Sequence, residues 1–213
     1  MTLDELFIKY GSDKSSLHHS YSGVYEEILE PLRIHPIILL ELGVGGYEYT
    51  DRGGGCIKAF DAFLPYSLIL GVDLYDKSFL NKKDKIQTYV ASQDDDSFFR
   101  QLRGKVGNFD VIIDDASHVN SLTIKSFQLL FPMVKSGGTY VVEDIEGSWY
   151  EEHGFGGCKE QNNFEAETTV NYFRKLTNSL NSKFIENYKQ IEVFEDTISS
   201  ISFSYNMIVI KKK

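Results

Sequence analysis

Short runs of apolar, often β-branched residues alternate along this chain with longer helical stretches, and this alternation restricts the fold more than any other feature. Parallel strands are buried on both faces, so they appear as continuous apolar runs, and they need crossover connections that are usually helices. The pattern therefore predicts an α/β fold with a mostly parallel sheet and helices on both faces. The five strands of the parallel part of this sheet are predicted at 37–42, 68–72, 86–90, 109–113 and 139–142.

The connections and the end of the chain complete this predicted fold. Ser136-Gly137-Gly138 predicts the end of a helix before the fifth strand, because glycine commonly ends helices. Two alternating runs flank Tyr205-Asn206 and predict a C-terminal antiparallel hairpin, which gives a seven-stranded sheet. The hairpin strands are predicted at 198–202 and 207–211, and the helices at 56–63, 95–102, 121–133 and 165–180.

The charge balance narrows the expected partners. The 213 residues include 31 acids and 22 bases, a net charge of −9, which argues against a broad nucleic-acid-binding surface. No stretch approaches the ~20 apolar residues of a membrane span, and the acidic N-terminus does not resemble a signal peptide. Cys56 and Cys158 alone cannot form a disulfide framework or a four-cysteine zinc site. A cytoplasmic protein without a membrane span is expected.

Acidic residues follow four of the five predicted parallel strands. In open α/β sheets ligands bind beyond the carboxyl ends of the strands, so these side chains are expected at one crevice. Capping of the following helices explains single acids of this kind, but it explains four consecutive strand ends less well. The acids are Asp73, Asp94, the pair Asp114 and Asp115, and the pair Glu143 and Asp144.

The first strand ends in a glycine turn, Glu41-Leu42-Gly43-Val44-Gly45-Gly46. Glycine accepts left-handed backbone angles and lets the backbone approach a ligand, although such turns also serve tight packing. A dinucleotide-binding motif fits less well, because its third glycine would fall at Glu48. Asp73 is suitably placed to accept ribose hydroxyls. Gln93 and Asp94 would flank an adenine, with capping of the next helix as the alternative.

The strongest chemical signal pairs two strand ends, Ile113-Asp114-Asp115-Ala116-Ser117-His118 and Val142-Glu143-Asp144-Ile145. Four carboxylates and an imidazole in a small volume are costly unless a cation neutralises them or some are protonated. Oxygen ligands of this kind suit Mg²⁺, Mn²⁺ or Ca²⁺. The alternative is a pair of capped turns with an exposed His118. A cation and a histidine base together would allow a sugar hydroxyl to attack a sulfonium methyl group.

These motifs resemble those of metal-dependent sugar O-methyltransferases of natural-product and cell-surface glycan pathways, the mycinamicin and rhamnosyl-tetracenomycin type. The resemblance covers nearly the whole chain. One departure is Ala116, which replaces the glycine of the family's Asp-Asp-Gly-Ser-His motif. The matching segments are Tyr10-Gly11-Ser12-Asp13-Lys14, His19-Ser20-Tyr21, and residues 40–46, 53–55, 71–73, 113–118 and 142–145.

The resemblance implies a Rossmann-like class I methyltransferase that uses S-adenosylmethionine and Mg²⁺, or Mn²⁺ or Ca²⁺ in its place. It implies that His118 is the general base and that Asp115, which binds the metal, also takes part in catalysis. The implied metal ligands are Asp115, Glu143 and Asp144. The implied cofactor-binding residues are Glu41, Gly43, Gly45 and Asp73, with Asp114 nearer the cofactor than the metal; Gln93 and Asp94 complete the expected set.

The expected organisation is a cap or lid at residues 1–30 followed by the methyltransferase domain at 31–213. The cap could also be a packed aromatic segment without ligand contact. Aromatic residues after the fifth strand could form a wall of the acceptor pocket or an ordinary loop core; they are Trp149, Tyr150, His153 and Phe155.

The expected partner is a small-molecule or glycan sugar, in a bacterial cytoplasm, with a homodimer or homotetramer as the family's implication. Two rival functions share the fold. A hydroxylase of the cephalosporin-hydroxylase type would prefer two histidines with one carboxylate around iron, and the motif contains only His118. The other rival is a non-catalytic scaffold that binds S-adenosylmethionine.

Overall fold

The structure, a computed structural model, describes residues 1–152, 154–160 and 162–213, so the expectation for His153 lies outside the described residues. The chain divides into two compact units, Met1–Ser92 and Gln93–Lys213. Each unit contains a group of strands with its own helices. The division expected at residue 30 is a different one and stays a prediction.

The first unit contains three parallel strands in the order β3-β2-β1. Leu40 of β1 pairs with Leu70 of β2, and both are fully buried, as expected for strands covered on both faces. The strands are β1 (Ile38–Leu42), β2 (Leu68–Asp73) and β3 (Ile86–Val90), and the helices are α1 (Leu3–Tyr10), α2 (Ser22–Leu29) and α3 (Gly55–Phe63).

The N-terminal segment is packed into the core of this unit. A capping box of Thr2 and Glu5 starts α1, and Gly11 ends it with a left-handed backbone at φ +68°. The ring of Phe7 lies 6.2 Å from that of Tyr25 and 5.6 Å from that of Phe60, and all three side chains are fully buried. These contacts show an aromatic core that joins α1 and α2 to α3.

The second unit contains four strands in the order β4-β5-β7-β6. β4 and β5 are parallel, whereas β7 pairs antiparallel with both β5 and β6. The prediction of a seven-stranded, mostly parallel sheet with a C-terminal antiparallel hairpin is therefore confirmed. The strands are β4 (Phe109–Asp114), β5 (Val134–Glu143), β6 (Ile198–Ser204) and β7 (Met207–Lys212), and the helices are α4 (Asp96–Val106), α5 (Asn120–Leu130) and α6 (Thr169–Leu176).

Several predicted boundaries in this unit are wrong. Ser136-Gly137-Gly138 does not separate a helix from a strand but lies within β5, where the pairing with β4 shifts register. The helix before it ends earlier, at Leu130, and continues as a 3-10 turn that contains Pro132. Proline has no backbone N–H to donate and restricts the residue before it, which ends the α-helix. The helix predicted at 165–180 is regular only at Thr169–Leu176.

Aromatic packing fixes α5 in the second unit. The ring of Phe127 on α5 lies 5.2 Å from that of Tyr140 on β5 and 4.7 Å from that of Phe173 on α6. Because these rings are buried, they pack α5 against β5 and α6. Among the residues that the structure describes, no helix is long and apolar enough to cross a membrane.

Candidate functional site

The glycine turn after β1 opens a loop at 43–54 that folds back on its own backbone. Gly43 and Gly45 have φ values of +80° and +76°, the left-handed conformation expected for this turn. A Cβ atom on Gly53 would lie 2.1 Å from the carbonyl oxygen of Gly45, so only glycine fits there. The amide of Gly54 donates to the carbonyl of Val44 at 2.8 Å and closes the loop.

A buried lysine holds the far side of this loop. Lys77 is only 1% exposed, and its Nζ donates to the carbonyl oxygens of Tyr47 at 2.7 Å and Tyr49 at 2.8 Å. Charge-assisted hydrogen bonds of this kind are stronger than neutral ones. Sequence reasoning missed Lys77, because it belongs to no motif and lies about thirty residues from the carbonyls it binds.

Asp73, at the end of β2, is bonded to the glycine loop. Its Oδ2 accepts the amide of Val44 at 2.8 Å, and its Oδ1 accepts the amide of Tyr75 at 2.9 Å. A carboxylate offers about four acceptor positions. Asp73 can therefore hold the loop and still accept hydroxyl groups of a ribose.

Glu41 is fully buried in β1, with the ammonium of Lys14 4.0 Å from its Oε1. Lys14 is buried as well and belongs to the Tyr10–Lys14 motif. An opposite charge offsets part of the cost of burying a carboxylate. The sequence pointed to both residues, but it did not indicate that they form a pair.

In the second unit, Gln93 connects α5 with the segment that follows β4. Its Nε2 donates to Ser126 Oγ at 2.8 Å, and its Oε1 accepts the amide of Ser117 at 3.1 Å. Asp94 accepts from Lys125 Nζ at 2.8 Å. The cap of α4 is the next residue, Asp95, whose side chain accepts the amide of Phe98. Capping therefore explains Asp95, and adenine binding by Gln93 and Asp94 stays a prediction.

Asp114, the last residue of β4, is buried. The hydroxyl of Tyr140 donates to its Oδ2 at 3.1 Å. Burial disfavours the charged form and raises the pKa of Asp114 to about 7, although the hydrogen bond from Tyr140 opposes this shift. Tyr140 was not singled out from the sequence, since nothing distinguishes it there from other apolar strand residues.

Three predicted residues of the second unit come together at the ends of β4 and β5. Asp115, His118 and Asp144 each offer one ligand atom, and these atoms all lie within 4.8 Å of one another. His118 Nε2 is 4.0 Å from Asp115 Oδ1 and 3.9 Å from Asp144 Oδ2, beyond hydrogen-bond distance. All three side chains are partly exposed. The two carboxylate oxygens of this cluster suit a divalent cation such as Mg²⁺ or Mn²⁺, and the imidazole nitrogen lies beside them.

The backbone at this cluster is strained. His118 has φ +55° and Asp144 has φ +52°, the left-handed region that side chains other than glycine rarely adopt. Each such residue costs on the order of 1–3 kcal/mol and persists only where its surroundings hold it. Strain of this kind concentrates at functional sites, and here it falls on two members of one cluster.

Glu143, the third predicted metal ligand, lies beside the cluster. It is the last residue of β5, is 3% exposed and lines a small pocket together with His118 and Asp144. The three residues whose ligand atoms meet include His118 rather than Glu143. Glu143 ends β5, and the next residue, Asp144, has the left-handed backbone.

A buried asparagine organises the loops around this pocket. Asn120, the first residue of α5, donates from Nδ2 to the carbonyls of Gly147 at 2.9 Å and Phe155 at 2.7 Å. Its Oδ1 accepts the amide of Thr169 at 2.7 Å. Asn120 therefore ties three segments together. Sequence reasoning missed this residue, because an asparagine near the start of a helix is ordinary.

Comparisons with known proteins identify relatives. No protein-family profile matches the chain. Two enzymes of Streptomyces olivaceus are similar in sequence to this chain. The first, a tetracenomycin-C rhamnosyl 3'-O-methyltransferase, is 38% identical over 84% of this chain and 45% of its own length. The second, an 8-demethyl-8-alpha-L-rhamnosyl tetracenomycin-C 2'-O-methyltransferase, is 30% identical over 98% of this chain and 54% of its own length. The chain thus spans about half the length of the curated relatives it matches.

The solved structure of the MycE methyltransferase from the mycinamycin biosynthetic pathway, in complex with Mg and SAH, is similar over 100% of this chain and 53% of its own. The TM-score is 0.91 at 29% identity. The fold, the motifs and the relatives agree, and the chain belongs to the family of sugar O-methyltransferases of the rhamnosyl-tetracenomycin and mycinamicin type.

Proposed function

We propose that this chain transfers the methyl group of S-adenosylmethionine to a sugar hydroxyl with the help of a divalent cation. The observation that carries the proposal is the cluster of Asp115, His118 and Asp144, which offers ligands for such a cation. The relatives are named as sugar O-methyltransferases, and the related MycE structure contains Mg and SAH.

The first unit contributes the glycine loop to cofactor binding. Gly43 and Gly45 leave room for close approach of the ligand, and Asp73 accepts its ribose hydroxyls. Glu41, buried with Lys14, places negative charge at the start of the loop. Gln93, Asp94 and Asp114 are the proposed contributions of the second unit.

Asp115 and Asp144 hold the cation, with Glu143 as the third proposed ligand. When bound, the cation lowers the pKa of the acceptor hydroxyl and orients its oxygen. His118 Nε2 accepts the hydroxyl proton. A bond forms between the hydroxyl oxygen and the methyl carbon while the carbon–sulfur bond breaks, and the bonding electron pair stays on sulfur. In this assignment His118 is the base rather than a ligand.

The direct test measures methyl transfer by mass spectrometry with a rhamnosylated small-molecule acceptor. H118A and D144A should each lose methyl transfer, whereas calorimetry should show nearly unchanged binding of S-adenosylhomocysteine. EDTA should abolish transfer by the unmodified protein, and Mg²⁺ should restore it. Normal turnover by both variants would show that the mechanism is wrong.

The same preparation separates the rival functions. A scaffold would bind S-adenosylmethionine and show no metal-dependent turnover with any acceptor. Hydroxylation by iron prefers two histidines and one carboxylate, and among the described residues the candidate cluster contains one histidine with two carboxylates. This donor set favours methyl transfer.

The acceptor sugar, the location and the assembly complete the proposal. We infer a bacterial cytoplasmic enzyme of natural-product or polysaccharide biosynthesis, without a nucleic-acid partner. A homodimer or homotetramer is proposed on the basis of the family alone. Sedimentation of the purified chain tests the assembly, and a survey of glycans after deletion of its gene tests the acceptor sugar.

A further inference from the structure

The turn of the C-terminal hairpin contacts the segment that carries Asp144. Asn206, between β6 and β7, donates from Nδ2 to Asp144 Oδ1 at 3.1 Å. Its Oδ1 accepts the backbone amide of Glu146 at 2.9 Å. In the sequence these residues are sixty or more positions apart, and the hairpin turn had no role beyond joining two strands.

The bond to Glu146 fixes the orientation of the amide. A backbone N–H can only donate, so the Asn206 oxygen must face Glu146 and its NH₂ group must face Asp144. A flipped amide would place two donors against each other at Glu146. The bond to Asp144 is therefore that of an N–H donor to a carboxylate oxygen.

The two oxygens of Asp144 thus have different surroundings. Oδ1 accepts from Asn206, whereas Oδ2 lies 3.9 Å from His118 Nε2 within the candidate cation cluster. Asp144 also has the left-handed backbone, directly after the end of β5. A hydrogen bond on Oδ1 holds the carboxylate plane and leaves Oδ2 directed at the cluster.

Asparagine is well suited to this position in the turn. Asn206 has φ +54°, and asparagine is one of the few residues other than glycine that tolerate this conformation. Its short side chain carries both a donor and an acceptor, so one residue bonds the carboxylate and the adjacent backbone at once.

We propose that Asn206 is a positioning residue of the cation site, which holds Asp144 so that its Oδ2 binds the metal. The inference rests on the proposed function, because it takes Asp144 as a metal ligand. Residues that orient metal ligands in this way typically contribute 10–100-fold to metal affinity. The hairpin would then serve the site as well as the sheet.

The test measures binding of Mn²⁺ to the full chain by electron paramagnetic resonance, without acceptor or S-adenosylmethionine. N206G keeps a left-handed turn and removes both side-chain bonds, so Mn²⁺ affinity should fall at least about 10-fold. The matched control is N187G, the same substitution at an exposed asparagine with the same φ of +54°. N187G should bind Mn²⁺ as the unmodified chain does.

N206D gives a second test that does not depend on the behaviour of glycine in the turn. An aspartate keeps an acceptor for Glu146 but places a carboxylate oxygen against Asp144 Oδ1. Its added negative charge would by itself strengthen cation binding, so weaker binding of Mn²⁺ would indicate displacement of Asp144. Unchanged binding in N206G, with equal or tighter binding in N206D, overturns the role of Asn206.

D144A separates this inference from the proposed function. If D144A loses Mn²⁺ while N206G and N206D bind it normally, the cation site stands and only the role of Asn206 is wrong. If D144A binds Mn²⁺ as tightly as the unmodified chain, Asp144 is not a ligand, and the proposed cation site fails together with the inference. Thermal unfolding of each variant verifies that it is folded.

Discussion

The glycine loop of the first unit and the acidic cluster of the second unit are organised in opposite ways. In the loop, backbone groups are bonded to one another, to Asp73 and to the buried ammonium of Lys77. In the cluster, His118 Nε2 lies 3.9–4.0 Å from two carboxylate oxygens, and two of the three residues have left-handed backbones.

This difference indicates which site is complete without its ligand. The loop has its conformation fixed by internal hydrogen bonds, so binding costs it little conformational entropy. The cluster gathers carboxylates that repel one another until a cation lies between them. We therefore expect the loop to be insensitive to metal and the cluster to depend on it.

Replacing His118 has the largest expected effect. A positioned general base typically contributes 10²–10⁴-fold, so H118A should lower kcat by about that factor. If His118 is the base and not a ligand, Mn²⁺ affinity should change by less than about twofold. Rates and Mn²⁺ binding are measured side by side, with H35A, at an exposed histidine, as the control. A parallel loss of Mn²⁺ binding would instead make His118 a ligand.

The buried carboxyl of Asp114 gives the next largest effect, on stability. Its pKa of about 7 in the folded protein lies above the ordinary 3.8, so the folded state holds this proton more tightly than the unfolded chain. The contribution of this bound proton to the free energy of unfolding is fully present below about pH 4 and is lost as pH rises through about 7. Relative to the unmodified chain, D114N should therefore gain stability between pH 4 and 8, by at most about 4 kcal/mol.

Chemical denaturation in EDTA at several pH values measures this difference, without a contribution from bound metal. Only the change with pH is compared, because asparagine also alters the hydrogen bond from Tyr140. A difference between the two proteins that stays constant from pH 4 to 8 would show that burial does not shift the pKa.

Lys77 tests the loop rather than the cluster. K77M removes the donor for the carbonyls of Tyr47 and Tyr49, and two charge-assisted bonds are worth roughly 3 kcal/mol of the free energy of unfolding. Affinity for S-adenosylhomocysteine should fall while Mn²⁺ affinity stays the same. K83M, at an exposed lysine, is the matched control. Equal losses of both ligands would mean that the two sites are not organised separately.

Much of this molecule could be predicted from its sequence because strands and motif residues carry local signals. The apolar runs gave all seven strands, and the motifs gave Asp115, His118 and Asp144, which the fold brings together. The start of β5 was missed, because a strand with an irregular register at Gly137 and Gly138 has the same residues as a turn.

The residues that hold the sites in place could not be predicted. Lys77 and Asn206 act on backbone groups or single carboxylates far away in the sequence, and no short motif marks such contacts. The pairing of Lys14 with Glu41 is of the same kind, since each residue lies in a different motif. Sequence patterns indicate which groups do the chemistry, whereas the supporting contacts depend on the three-dimensional fold.

The smallest expected effect compares one carboxylate from each site in the presence and absence of metal. Two charges at about 4 Å interact by ~1 kcal/mol in water, so D115N in EDTA should raise the free energy of unfolding by about that amount. In Mg²⁺ the unmodified chain should instead be the more stable of the two. A cation at 100 times its Kd adds about 2.7 kcal/mol to the free energy of unfolding of the unmodified chain only.

D73N should behave differently, because Asp73 accepts two backbone amides and an asparagine oxygen cannot replace both carboxylate oxygens. Its loss of stability should be the same in EDTA and in Mg²⁺. Thermal unfolding of both variants under both conditions measures the effect. If D115N is destabilising in EDTA as well, the cluster is held by contacts of its own, and the contrast between a preformed loop and a metal-dependent cluster is wrong.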